Sequence, residues 1–272
     1  MKESKLPYLN LPNELECYRK QITKTIKPYI RISTHKNNTN LFQSKFSGNP
    51  YLPKYTEHPK DKNGLPMKLL AQINFEEIPN IESMPEKGIL QLFISGEDDL
   101  MGINFDDLTD QSNFKVIYHS NIIEDKSLLV TDFSYMDSLN EEFFPIQDEL
   151  SLSFTLEYEP ISVEDYRNSD LLGESVDLSV EKDNGDKELW EVYSDTFLGD
   201  GHKMGGYPYF TQTDPRDYEK RYQEHNVLLL QIDTEDDKGI MWGDAGIANL
   251  FIKEEDLKAL NFKNVIYNWD CH

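Results

Sequence analysis

Two stretches of this chain repeat each other. Near the end, Leu228-Leu229-Leu230-Gln231-Ile232-Asp233 is followed by Gly246-Ile247-Ala248-Asn249-Leu250-Phe251-Ile252. In the first third, Leu69-Leu70-Ala71-Gln72-Ile73-Asn74 is followed by Gly88-Ile89-Leu90-Gln91-Leu92-Phe93-Ile94. Two more blocks keep the same order: Met204 to Phe210 matches the segment around Gly48-Asn49-Pro50-Tyr51, and residues 261–268 match 113–119. Gln72 to Phe93 spans 21 positions and Gln231 to Phe251 spans 20. Chance explains one short match more readily than four in one order. The pattern predicts an α+β fold, internally duplicated, with pseudo-twofold mixed or antiparallel sheets. The copies would be 46–119 and 202–268, joined by 120–200 within a single domain, 1–272. Each copy alone would leave sheet edges and an apolar face for the other to cover.

Around the repeat, Pro12 in a first turn and Pro28 as a stop predict a covering N-terminal helix over 12–27. Leu15, Tyr18, Ile22 and Ile26 would form its apolar face. Strands are expected at 29–32, 68–75, 88–95, 113–119, 127–133, 150–158 and 227–233. Helices are expected from Ser162 to about Leu172, from Asp214 to about Glu224, and over 253–260, with Phe105-Asp106-Asp107-Leu108 as a shrunken equivalent of the last. Asp183-Asn184-Gly185-Asp186 reads as a surface turn.

The charge is uneven. The formal net is −23, yet residues 1–60 carry 11 Lys/Arg against 4 Asp/Glu, a net of +7, which leaves −30 for the other 212 residues. Such a field repels nucleic acid and anionic membrane and steers a basic partner inward. No apolar run approaches the ~20 residues that span a bilayer. The first residues lack a signal-peptide core, and only Cys17 and Cys271 are present. A cytoplasmic chain with reduced thiols is therefore expected. A basic amphipathic helix at 12–27 also admits a membrane-surface role, if its apolar face is not used by the body.

No P-loop, Gly-x-Ser-x-Gly, His-Glu-x-x-His or Cys-x-x-Cys is present, so no cofactor and no metal are expected. Candidate site residues are few. Gly199 to Gly206, with Gly205 and Gly206 at its end, is either a tight turn or a loop presenting N–H groups to an anion. His202 within it is either a structural hydrogen-bonding residue or an acid/base. Gln72 and Gln231 stand in apolar strands, where an amide costs free energy unless paired. They either satisfy backbone groups of the Gly-x-Pro segments or face a shared cleft. Trp242 and Asp244, in the unshared Trp242-Gly243-Asp244, are either a core cap with its neighbour or ligand contacts. Asp233 to Gly239 reads as an acidic hairpin turn.

Together Leu52-Pro53, Gly64-Leu65-Pro66, Leu70-Ala71-Gln72-Ile73-Asn74 and Pro85-x-x-Gly88-x-Leu90-x-x-Phe93 resemble the YwqG-like proteins, a bacterial family of unknown function. The second half adds His202 to Pro208, Gln212, Leu228 to Asp233 and Trp242-Gly243-Asp244-x-Gly246. The resemblance covers nearly all of the chain beyond residue 40. Many relatives have Gly-Gly and Trp-Pro where this chain has Ser47-Gly48 and His58-Pro59. The resemblance implies an internally duplicated α+β fold and brings no activity or cofactor. Some relatives are associated with toxin–immunity systems. The first expectation is thus a non-enzymatic binding protein for a basic partner. The alternative is an enzyme or small-ligand binder with a site between the copies, built from His202, Gln231, Trp242 and Asp244 with Gln72 opposite.

Overall fold

The computed structural model describes residues 9–82, 84–139, 142–173, 176, 178 and 188–272. Ten strands are formed: β1 (Lys27–His35), β2 (Lys45–Phe46), β3 (Lys68–Asn74), β4 (Ile89–Ile94), β5 (Phe114–His119), β6 (Leu150–Glu159), β7 (Lys203–Gly205), β8 (Val227–Asp233), β9 (Ile247–Ile252) and β10 (Ile266–Asp270). They make one antiparallel sheet, nearly closed into a barrel, in the order β10-β9-β8-β7-β1-β6-β2-β3-β4-β5. The long β1–β6 pair is its central seam, registered from Lys27↔Glu159 to His35↔Ser151. An arm of four strands extends from each side of the seam.

Each arm runs outward in the same way. A short strand leads to a long one, which carries a register shift between Leu69 and Ala71 in β3 and between Leu228 and Leu230 in β8. Such a bulge adds one residue to a strand and bends it. The curvature brings the two outermost strands together. Phe114 of β5 and Tyr267 of β10 lie 5.2 Å apart between ring centroids, and the Tyr267 N–H donates to the Leu108 carbonyl. β4 and β9 are buried along their whole length. That explains their nearly unbroken apolar sequences, since a strand covered on both faces has no solvent side to mark with polar residues. In β6, Leu150, Leu152 and Phe154 pack on the main core, while Leu156 and Tyr158 on the same row are exposed.

Among the described residues five short α-helices lie outside the sheet: α1 (Arg19–Lys24), α2 (Asn168–Leu172), α3 (Leu189–Thr196), α4 (Pro215–Tyr218) and α5 (Glu254–Lys258). The helix expected over 12–27 is a 3₁₀ segment, Asn13–Tyr18, followed by α1. It ends before Pro28, because the Thr25 hydroxyl donates to the Ile22 carbonyl and accepts the Ile161 N–H. Strand β1 has already begun at Lys27. Leu15 and Ile22 are buried in a second apolar cluster with Ile161, Leu189, Tyr193 and Tyr207. Ile26 is half-buried.

Other expectations are corrected. Residues 127–133 form no strand, and only Leu129 pairs, with Pro53. Asp125 and Asp132 accept the N–H groups of Ser127 and Ser134, local turns that compete with extension. Ser162 caps no helix; its hydroxyl donates to the Pro208 carbonyl, and α2 starts only at Asn168. Asp214 does cap α4, accepting the Arg216 N–H, but the helix stops at Tyr218. Residues 105–108 form turns. Helix α3, which the sequence did not suggest, has a reciprocal cap between Glu188 and Glu191. The turn expected at 183–186 lies outside the described residues. No helix among the described residues is long and apolar enough to cross a membrane.

Candidate functional site

The repeated glutamines lie in β3 and β8 at the same distance past the bulge. Gln72 Oε1 accepts the Tyr51 N–H at 2.8 Å, and its Nε2 donates to the Leu41 and Gln43 carbonyls at 2.9 and 2.8 Å. Gln231 Oε1 accepts the Tyr209 N–H at 2.9 Å, and its Nε2 donates to the Gly199 and Gly201 carbonyls at 3.0 and 2.8 Å. Opposite them, Gln91 donates to the Tyr51 carbonyl and Asn249 to the Tyr209 carbonyl, both at 2.7 Å. Gln72 and Gln231 thus fasten the loop before the short strand to the Pro-Tyr segment after it. These bonds to backbone are what makes an amide tolerable in a core, and Gln72 Oε1 also accepts from Gln91 Nε2.

His202 is also tied to backbone. Its Nδ1 accepts the Asp233 N–H at 2.9 Å, so the ring proton is on Nε2, which faces Glu235 Oε2 at 3.1 Å. The hydrogen bond from His202 holds the Glu235 carboxyl down at about 2. In the first arm Ser44 takes the matching place, accepting the Asn74 N–H at 2.9 Å. Trp242 is buried in the main cluster with its ring 6.2 Å from Trp269, and its Nε1 has no partner among the described residues. Asp244 is exposed. The segment closes on itself as the Gly246 N–H reaches the Trp242 carbonyl. Gly246 lies so close to the last strand that a Cβ there would sit 1.9 Å from the Asp270 carbonyl; at Gly88 the distance to the His119 carbonyl would be 2.7 Å.

Of the seven predicted residues, only Gly205 and Gly206 line one of the three clefts described next. The chain takes two successive left-handed residues at this turn, φ 74° and 68°, as it does at Ser47-Gly48, φ 58° and 79°. Each turn, with the start of the following long strand, floors a cleft. The first, about 420 Å³, has Ser47, Gly48, Lys68 and Leu69 as floor and His58, Phe133, Asp137 and Gln147 in its walls. His58 Nε2 donates to the Met67 carbonyl at 2.7 Å, which leaves Nδ1 to accept from the Tyr135 hydroxyl at 2.9 Å. Burial pushes the His58 ring down from its ordinary value. The second, about 300 Å³, has Gly205, Gly206, Val227 and Leu228 as floor and Lys27, Arg167, Lys258, Glu82 and Glu254 in its walls.

A third cleft, about 320 Å³, lies beside β10. Phe105, Tyr218, Tyr222 and Trp269 give it four aromatic rings, and Asp106, Glu219 and Asp270 three carboxylates. Phe105 and Tyr218 are 67% and 66% exposed, unusual for rings of that size. Asp270 Oδ1 accepts from the Thr211 N–H and hydroxyl, while Oδ2 is buried without a partner among the described residues and burial pushes the carboxyl up. Arg221 crosses the cleft wall to the Asp106 carbonyl at 2.7 Å. Sequence reasoning missed this cleft. Its only local signal is an aromatic residue set among acids, Phe105-Asp106-Asp107 and Asp217-Tyr218-Glu219, in segments far apart along the chain. Among the described residues no group of three or more His, Cys, Asp or Glu is placed to hold a metal ion.

A family model described as a domain of unknown function, DUF1963, matches residues 44–271. Comparison with curated proteins finds no match to this chain.

Proposed function

We propose that this protein, which belongs to the DUF1963 family, is a non-enzymatic binding protein whose partner is basic, with the aromatic and acidic cleft beside β10 as the point of contact. The observation that carries this reading is the exposure of Phe105 and Tyr218 beside Asp106 and Glu219. An arginine or lysine side chain over an aromatic face gains from the ring quadrupole. Neighbouring carboxylates add charge-assisted bonds. The net charge of −23 raises the encounter rate with a cationic surface. The toxin–immunity context of some YwqG-like proteins agrees in kind, and grouping this chain with them inside the wider family belongs to the same proposal, as does a cytoplasmic location.

The proposal includes internal duplication, with residues 46–119 and 202–268 as copies joined by 120–200 in one domain. The mirrored strand order, the paired bulges and the matching bonds of Gln72 and Gln231 support it. The alternative, a catalytic or small-ligand site made of Gln72, His202, Gln231, Trp242 and Asp244, has weaker support, because the two glutamines and His202 are engaged with the backbone.

The test is titration with an arginine-rich peptide at low and raised salt. Binding should weaken with salt. The Phe105→Ala/Tyr218→Ala double variant should bind about tenfold more weakly, the loss of one to two cation–π contacts. Binding that ignores both salt and the double substitution would overturn the reading.

A further inference from the structure

We propose that the cleft floored by Gly205-Gly206 binds a phosphate group. It is a different surface from the one assigned to a basic partner, and its ligand has the opposite charge. In a chain with 50 acidic residues against 27 basic ones, three cations line this one recess: Lys27, Arg167 and Lys258.

The three are held differently. Arg167 is fixed by two bonds to the buried Asp165, from Nε to Oδ1 at 2.7 Å and from Nη2 to Oδ2 at 2.5 Å. Nη1 has only a long contact with the Asn226 carbonyl, at 3.5 Å. Its position is set while one donor edge stays free for an oxyanion, the fork that phosphate oxygens match. Lys258 pairs with Glu254 across one helical turn at 2.5 Å on the surface, a pair that exchanges easily. Lys27 has no carboxylate within ion-pair distance among the described residues. Its ammonium lies 4.6 Å from the centre of the Tyr207 ring, and burial, followed by the charge of Arg167, pushes it below its ordinary value. Two neighbouring cations in a half-buried recess repel each other, and an anion between them removes that repulsion.

The floor adds access. Gly206 has no room for a side chain, since a Cβ would sit 2.3 Å from Glu159 Oε1. Gly205 and Gly206 line the recess with backbone alone, beside the cations. The carboxylates Glu82 and Glu254 share the rim, which limits the excess positive charge and favours one compact anion over a polyanionic surface. About 300 Å³ admits inorganic phosphate or a phosphate monoester with a small organic part.

The experiment is calorimetric titration of the full chain with inorganic phosphate and, separately, with glycerol 3-phosphate. At least one should bind saturably, and the tighter of the two identifies the source of the phosphate. Lys27→Met keeps an apolar stem against Tyr207 and should weaken binding about tenfold, the loss of one charge-assisted contact. Lys258→Gln, a surface change, should weaken it less. Lys68→Met, in the matching cleft of the other arm, should leave it unchanged. A melting temperature near that of the parent shows that Lys27→Met is folded; if it is not, the Lys258→Gln result decides. No saturable binding of either probe, or binding that Lys27→Met and Lys258→Gln leave intact, would overturn the proposal.

Discussion

The turn at Ser47-Gly48 and the turn at Gly205-Gly206 have the same backbone and different surroundings. Both pass through two left-handed residues, both lead to a proline and a tyrosine whose N–H is taken by a buried glutamine, and both floor a cleft. Around the first stand a neutral histidine, an aromatic ring, an amide, one lysine and one aspartate; around the second, three cations and two carboxylates. The bonds that hold backbone recur, and the side chains that face solvent do not. In this molecule the repeated residues are therefore a guide to stability. The unshared ones are where both proposed binding sites lie.

Six substitutions at five positions test that contrast. The largest effect belongs to the glutamines. Gln231→Ala leaves one N–H and two carbonyls without partners, and at about 1–3 kcal/mol for each group should cost roughly 3–9 kcal/mol. Gln72→Ala should cost at least as much, because Gln72 also accepts from Gln91 at 2.8 Å. Urea unfolding midpoints measure both. A cost under about 1 kcal/mol for either would mean that the shared bonds are not what holds the arms.

Next is the unshared Trp242. Trp242→Ala should cost about 3–5 kcal/mol as a core cavity. Trp242→Phe should cost far less, about 1 kcal/mol, because the indole Nε1 makes no bond to lose. If the two substitutions cost the same, the indole nitrogen has a partner such as a buried water.

A smaller effect separates the arms by pH. Glu235 is held at about 2 by His202, against 4.5 for a free glutamate, and Ser44 replaces that histidine in the first arm. A carboxylate with a depressed value contributes stability above about 4.5 and loses it as pH falls toward 2. Glu235→Gln should flatten the loss of stability in that window. Hydrogen exchange should show β7 and β8 opening before β2 and β3 on acidification. Equal opening of both arms would remove the distinction.

The smallest effect is at Ser47, a non-glycine at φ 58°. Ser47→Gly gives the first turn the sequence of the second and should stabilise by about 0.5 kcal/mol, part of the left-handed cost being returned as added unfolded-state freedom. A loss of stability in thermal unfolding would show that the Ser47 side chain holds the turn.

Much of the sheet was legible because β3, β4, β8 and β9 are apolar on both faces, and β3, β4 and β9 begin just after Pro66, Gly88 and Gly246. The glutamines were legible for the converse reason, a polar group with no reason to be there unless bonded. What could not be read was anything decided by partners distant in sequence. One exception is local: residues 127–133 have strand-like composition, yet two Asx turns claim the backbone. Residues 12–27 have helical spacing, yet Thr25 ends the helix through a bond to Ile161. Lys27 and Arg167, or Phe105 and Tyr218, become neighbours only once the sheet has curved, and no local pattern records that.

The seam between β1 and β6 also fixes an order of events during synthesis. Tyr29 and Glu157, joined across it at 2.6 Å, are 128 positions apart, and the whole first arm is encoded between them. A nascent chain completes β2 to β5 while β1 still waits for its partner, whereas β7 to β10 emerge onto a seam already available. Closing so long a loop is slow compared with pairing neighbours. The amino-terminal arm therefore passes through a stage with its inner edge open, the stage at which chaperones bind and aggregation begins. A strand of two residues at that edge, β2, offers other chains little to pair with.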